Sequence, residues 1–247
     1  MASVASQVIL HPAVSRSIKF ASTTVGRDKT YRGVQYFARF FAWYLLTKGH
    51  KLDAARWNAL KSHLGTARKL MRLGKPIEHL QSALRASLAN GPAIEQIFAI
   101  GRQLGYFGYL CYDALIWANT IKFISVDSVA AKRFSKRSSQ LWLAGILFSL
   151  AGGVLKTIRL ARESSKLQGS SCGEKDISEE NQREVRLSAV KAAQGAARRQ
   201  FIVDILDVWI PATGAGIANV NDGALGIIGL ITSLLGAQAQ WKSVNGK

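Results

Sequence analysis

The sequence predicts an all-α fold: a helical membrane protein with an N-terminal amphipathic-helix region and one or two transmembrane helices in its C-terminal half. Three observations carry this. Apolar residues recur at helical spacing along the chain, and no run alternates polar and apolar residues long enough to argue a strand. Two runs, 141–155 and 223–241, contain no charged residue. The chain is also basic and greasy together, with 33 lysines and arginines against 15 carboxylates, a formal net charge of +18, and 48% hydrophobic residues. Such a cationic excess implies a polyanionic partner, and a mean hydropathy of +0.08 favours an anionic membrane over nucleic acid.

Helix boundaries follow from the punctuation. Pro12, Pro76 and Pro92 each open an apolar-periodic run, as proline in the first helical turn does. Gly74 and Asn90-Gly91 supply stops. Helices are predicted over 12–24, 28–48, 54–73, 76–89, 92–122, 128–163, 178–209 and 223–241, with a polar loop near 164–176. The implied organisation is an N-terminal helical region over 1–127 containing a membrane-inserting amphipathic helix at 54–75. A helix over 128–163 carries the first apolar run. A polar loop and charged helix over 164–200 precede a membrane-anchoring region over 201–247.

Helix 28–48 is crowded with aromatics, among them Tyr36, Phe37, Phe41 and Tyr44. That density fits a helix packing several neighbours, or an aromatic face at a membrane interface. In helix 92–122, Gly101, Gly105 and Gly108 make a flat strip for close helix approach. Arg102 and Asp113 share a face of this helix but stand about 16 Å apart along its axis, too far to pair directly.

The run 141–155 rises only about 22 Å against a hydrocarbon thickness of about 30 Å. Its Gly145, Ser149 and Gly153 repeat every four residues, the small-residue pattern of tightly packed membrane helices, although a buried helix of a soluble core reads the same way. The run 223–241 rises about 28 Å, matching a bilayer, and ends at an interfacial Trp241-Lys242 pair. Gly226 and Gly229 suit a packed helix there.

The stretch from Trp57 to Lys75, WNALKSHLGTARKLMRLGK, holds five cations and no carboxylate. On a helical wheel Trp57, Leu60, Leu64 and Met71 gather on one side, with Lys61, Arg68, Lys69, Arg72 and Lys75 beside them. Leu70 and Leu73 stray from the stripe. This is the form of an interfacial helix, apolar face sunk in a leaflet and cations flanking it, so these nine residues are the candidate membrane-binding set. Trp57, Leu60, Leu64 and Met71 equally form a seam for a partner helix.

Catalytic, cofactor and metal sites are not predicted. His11, His50, His63 and His79 are scattered, and no phosphate-loop, dinucleotide or nucleophile-elbow motif occurs. Cys111 and Cys172 form neither a disulfide framework nor a metal spacing. The N-terminal stretch does not read as a secretory signal, since Pro12 interrupts a short apolar run. The C-terminal VNGK is not a peroxisomal import tripeptide.

Read together, the segments HPAVSRSIKFASTTVGRDKTYRGVQYFARFFAWYL, ARKLMRLGKPIEHLQSAL, GYFGYLCYDALIWANTI and DILDVWIP with GIIGLITSLLGAQAQW resemble the fungal branch of the peroxisomal biogenesis factor 11 family. The resemblance covers nearly the whole chain except the polar segment 164–184. It implies a non-enzymatic protein of the peroxisomal membrane that elongates and tubulates it before fission, with the inserting helix at Trp57 to Lys75. It further implies self-association and cooperation with a dynamin-related GTPase and its fission adaptor. A pore-forming solute channel is the alternative, because several apolar helices with small-residue faces can assemble a pore. Nucleic-acid binding is the weakest reading, as no recognised motif accompanies the charge.

Overall fold

The computed structural model describes residues 4–169 and 177–246. It is 87% helical, without strands among the described residues. The helices are α1 (Val4–Ile9), α2 (Pro12–Ser22), α3 (Thr24–Thr47), α4 (Lys51–Leu70), α5 (Lys75–Leu88), α6 (Ala93–Thr120), α7 (Ser128–Gly169), α8 (Ile177–Asp207), α9 (Trp209–Gly214) and α10 (Asp222–Asn245).

Local chemistry sets several of the starts. Pro12 opens α2 while the His11 ring accepts from the Ala13 N–H. The Thr23 hydroxyl accepts from Gly26 N–H at 2.9 Å to cap α3, and Asn221 accepts from Ala224 N–H at 2.8 Å to cap α10.

Two predicted boundaries are corrected. The helix expected to continue through Leu73 stops at Leu70. Arg72, Leu73 and Lys75 donate to carbonyls three residues back, those of Lys69, Leu70 and Arg72, in a tight turn. Pro76 has no N–H to give the Arg72 carbonyl, so an unbroken helix cannot pass this point. Likewise the helix predicted to end at 209 breaks after Asp207. Pro211 cannot donate to Asp207, and a separate short helix, α9, follows. In the other direction, α7 runs to Gly169 through residues expected to be loop; 170–176, including Cys172, lie outside the described residues.

The helices form two packed groups. In one, α3 lies between α4 and α10; in the other, α5, α6, α7 and α8 follow side by side. Contacts of α4 with α6, α10 with α8 and α9 with α7 join them. A small apolar cluster of Tyr36, Ile210 and Leu225, with Trp142 packed against it, sits at this junction.

Small residues permit the closest approaches. A Cβ on Gly105 would fall 2.7 Å from the backbone of Gly145, so α6 and α7 touch main chain to main chain. A Cβ on Gly226 would fall 2.6 Å from Phe40 N, and one on Gly229 would enter the Tyr36 ring, so α10 lies directly on α3.

Two helices, α7 and α10, are long and apolar enough to cross a membrane, yet only 17% and 33% of their apolar windows is buried within the molecule. The core helix of a soluble protein would be mostly covered. Here Leu147 and Val154 on α7, and Ile227, Ile231 and Leu234 on α10, point outward. This is a helical membrane protein.

Candidate functional site: a charged chamber beneath an apolar surface

Polarity is inverted relative to a soluble bundle. Large apolar side chains are exposed along nearly every helix, while Asp28, Arg32, Arg68, Asp113, Asp204, Thr232 and Ser233 are buried. Between the two helical groups lies a chamber of about 1410 Å³, walled by residues of α3, α4, α5, α6, α7, α8 and α10. A buried charge is tolerated only when paired and hydrogen-bonded, and most of these are.

The α4 end of the chamber is built from residues distant in sequence. Arg68 Nε donates to Asp28 at 2.9 Å and its Nη1 to Gln35 at 2.7 Å, both on α3. Arg72 reaches α6, donating to Asp113 at 2.8 Å and to the Tyr109 hydroxyl at 2.8 Å. Lys69 stands 3.7 Å from the same Asp113. Although burial opposes it, the neighbouring Arg68 and Arg72 hold the Asp28 carboxyl below its ordinary range. Deeper in, Arg32 donates to Asp207 at 2.7 Å, and Thr232 of α10 donates to the same oxygen at 2.7 Å. At the rim Arg39 donates to Asp222 at 2.6 Å, with Lys61 4.0 Å away.

The nine residues expected to bind the membrane do not share one surface. Arg68 is 7% exposed and turned inward. Lys61, Lys69 and Arg72 are likewise half-buried and ion-paired, and Lys75 pairs with Glu78 at 3.3 Å. Carboxylates arriving from α3, α6 and α10 draw the cations in, and a wheel drawn on one segment contains none of them. Trp57 lies edge-on to Phe41 of α3 with ring centroids 4.9 Å apart. Leu64 and Met71 are half-buried, and Leu60 is exposed. The outward-facing residues are Leu60 and the two strays, Leu70 and Leu73, joined by Leu52. Leu52 and Leu70 lie across the wheel from the cations, so the inward face of α4 is the charged one.

The small residues are distributed over three contacts. Gly145 meets Tyr106 and the Arg102 carbonyl of α6; Gly226 and Gly229 meet α3. Ser149 donates to Asp204 of α8, and Gly153 lies in ordinary contact range of Phe201 on the same helix. Arg102 and Asp113 do not pair. Asp113 is taken by α4, and Arg102 lies over the Tyr106 ring at 5.6 Å.

One signal in the sequence marked the chamber wall. Asp28, Arg32, Gln35 and Arg39 recur at three- or four-residue steps, a polar stripe through an aromatic helix. Among the described residues, no three histidine, cysteine or acidic side chains converge as a metal site would require.

An apolar exterior around an ion-paired interior is the arrangement of a protein solvated by lipid. The whole-chain comparison gives that lipid a location: a family model described as Peroxisomal biogenesis factor 11 (PEX11) matches residues 14–241. The chain belongs to the peroxisomal biogenesis factor 11 family.

Among curated relatives, Peroxisomal membrane protein PMP27 of Saccharomyces cerevisiae is 28% identical over 97% of this chain and 99% of its own length. Peroxisomal membrane protein PMP30B of Candida boidinii is 24% identical, covering 96% of this chain and 97% of its own. Peroxisomal biogenesis factor 11 of Schizosaccharomyces pombe is 22% identical, with 94% and 96% covered. No solved structure matches the chain. As a member of the peroxisomal biogenesis factor 11 family, this is a peroxisomal membrane protein involved in peroxisome proliferation.

Proposed function

We propose that the protein elongates and tubulates the peroxisomal membrane, ahead of fission, by seating the outward apolar surface of α4, the following turn and α5 in one leaflet. The supporting observation is the stripe on α5. Ile77, Leu80, Leu84 and Leu88 are all exposed, and successive turns of about 100° per residue place them within one arc of roughly 80°. The other side of α5 is occupied: His79 contacts Gln103 of α6 at 2.7 Å, and Ala83 is buried. Leu70, Leu73 and Leu60 extend the stripe toward α4, and the exposed Arg85 flanks it.

A helix held shallowly in one leaflet occupies headgroup area without filling the layer beneath, so many copies favour a curved bilayer. Trp57, Leu64 and Met71 back this surface, whereas Arg68 and Arg72 fix α4 to the rest of the molecule. Self-association, which multiplies the wedges, and recruitment of a dynamin-related GTPase with its adaptor complete this reading on the family resemblance.

The test uses full-length protein reconstituted into vesicles containing anionic phospholipid and imaged by electron microscopy. Wild type should draw tubules, and Ile77→Glu with Leu84→Glu should leave the vesicles round. Equal tubulation by that variant, correctly folded, would overturn the reading.

A second reading, a solute channel, is supported by the chamber itself: about 1410 Å³ lined by charged groups inside an apolar exterior. Full-length protein in a planar bilayer should then conduct, and Gly145→Leu, which would drive a side chain into Tyr106 and α6, should alter the conductance.

A further inference from the structure

The charge in the chamber does not balance. Its lining carries ten lysines and arginines against five carboxylates, with Asp222 at the rim taking Arg39 and Lys61. Arg68, Lys69, Arg72, Arg32 and Lys75 each stand beside a carboxylate. Lys29 and Arg102 make no ion pair or side-chain hydrogen bond among the described residues, and the Arg102 Nε is a fully buried donor without an acceptor. Such a donor costs free energy unless something accepts from it.

Lys29 is the sharper case. It lies half-buried on α3, its side chain against Gly236 of α10. Burial first, then repulsion from Arg32 and from Arg68 of α4, pulls its ammonium down to about 8, against the opposing pull of Asp28 on α3 and Asp207 on α8. An unpaired cation crowded by two guanidiniums is the local field an anion would relieve.

We propose that the chamber is a binding site for a phosphate-type anion, held at Lys29 beside Arg32 and Arg68, with Arg102 a further donor within the same cavity. The cationic excess suits a multiply charged oxyanion. Guanidinium forks match the geometry of phosphate oxygens, and a lysine adds a point charge. The volume accommodates far more than the phosphate group, so the anion can carry an organic body. Ser62, Thr120 and Arg199 are exposed at the margin, which connects the chamber with the outside. The ligand is therefore either a free phosphorylated solute or a phospholipid headgroup. The site depends neither on conduction nor on leaflet insertion, since holding an anion requires only the chamber.

Full-length protein is placed in nanodiscs of phosphatidylcholine alone and titrated with pyrophosphate by calorimetry. A parallel sample uses nanodiscs containing phosphatidic acid, with native mass spectrometry of retained lipid. Saturable binding in the first arm assigns a free solute, and selective retention in the second assigns a headgroup; either supports the site. Lys29→Gln should weaken binding at least tenfold, Lys29→Arg should retain it, and Lys51→Gln, an exposed lysine outside the chamber, should match wild type. Affinity should fall as pH rises from 7 to 9 and Lys29 loses its proton. Folding of Lys29→Gln is checked by helical circular dichroism, and Arg102→Gln serves as a second weakening variant. The proposal is overturned by no saturable binding in either arm, or by a folded Lys29→Gln that binds like wild type.

Discussion

Arg68 of α4 and Asp28 of α3, forty residues apart in sequence, form a buried ion pair at 2.9 Å whose members are 7% and 8% exposed. Gln35 takes a second donor of the same guanidinium at 2.7 Å. One of the five cations expected to flank the membrane-binding stripe is thus a bolt between two helices. Breaking such a pair leaves an uncompensated buried charge, at a cost of about 3–5 kcal/mol. Asp28→Ala and Arg68→Glu should each lower the thermal unfolding temperature of detergent-solubilised protein, read by circular dichroism. Because the folded Asp28 carboxyl is held below its ordinary 3.8, its contribution is present above that value and is lost as pH falls through the lower folded value. Stability should therefore fall less steeply with acid in Asp28→Asn than in wild type. If Arg68→Glu unfolds like wild type and loses only vesicle binding, Arg68 belongs on the surface after all.

The helix starts were legible because they are local: Pro12, Pro76 and Pro92 act through their own backbones, whereas Gly74, expected as a stop, has ordinary helical φ and ψ and lies beyond the end of α4 at Leu70. The α7 and α10 apolar runs were legible for the same reason, being contiguous. Which side of α4 turns inward was not, because Asp28, Asp113 and Asp222 decide it from three other helices. Periodicity separates two faces of a helix without labelling either as inside. Leu70 and Leu73 were discounted as irregular when they mark the outward side. The turn at Met71–Gly74 hid the continuation of the apolar surface onto α5, where Ile77, Leu80, Leu84 and Leu88 are the better-exposed stripe.

Glycine contacts separate helix packing from helix propensity. At Gly229 a Cβ would strike the Tyr36 ring, and at Gly226 it would strike the Phe40 backbone. Either substitution forces α10 off α3. Gly229→Leu should destabilise by about 1–3 kcal/mol or more, the range for overpacking, and should free the Tyr36–Leu225 cluster. Gly74→Ala, with open space around it, should unfold like wild type. Thermal unfolding of the two variants in the same detergent makes the comparison.

Lys29 gives a stability signature of its own. Its ammonium ionises at about 8 in the folded protein against 10.5 unfolded. Between those values the unfolded chain binds more protons, so stability from this group rises with pH across that window. Below about pH 8 the charge is carried in both states and weakens the fold. Lys29→Met should therefore be more stable than wild type at pH 7, with the gap closing toward pH 10. Unfolding measured at both pH values in phosphate-free buffer checks the sign. A variant less stable at pH 7 would mean that Lys29 is satisfied by a partner in the folded protein.

Leaflet insertion by α5 makes a prediction about depth as well as shape. Leu84 and Ser82 are neighbours on one helix, yet Leu84 is 62% exposed while Ser82 lines the chamber. A fluorophore at Leu84→Cys in full-length protein should be quenched by lipids carrying a nitroxide near the headgroup, and one at Ser82→Cys should not. Burial of a leucine in lipid contributes about 1.5–3 kcal/mol, so replacing it with a carboxylate removes at least tenfold in the equilibrium for insertion. Leu84→Glu should accordingly reduce tubule number about tenfold while leaving thermal unfolding nearly unchanged, because the Leu84 side chain is largely exposed. Arg85→Gln should act more weakly, by about 1 kcal/mol, and only on anionic vesicles at low salt. Absence of quenching at Leu84 would place this face of α5 against water or within protein, and in either case the stripe would not be the wedge.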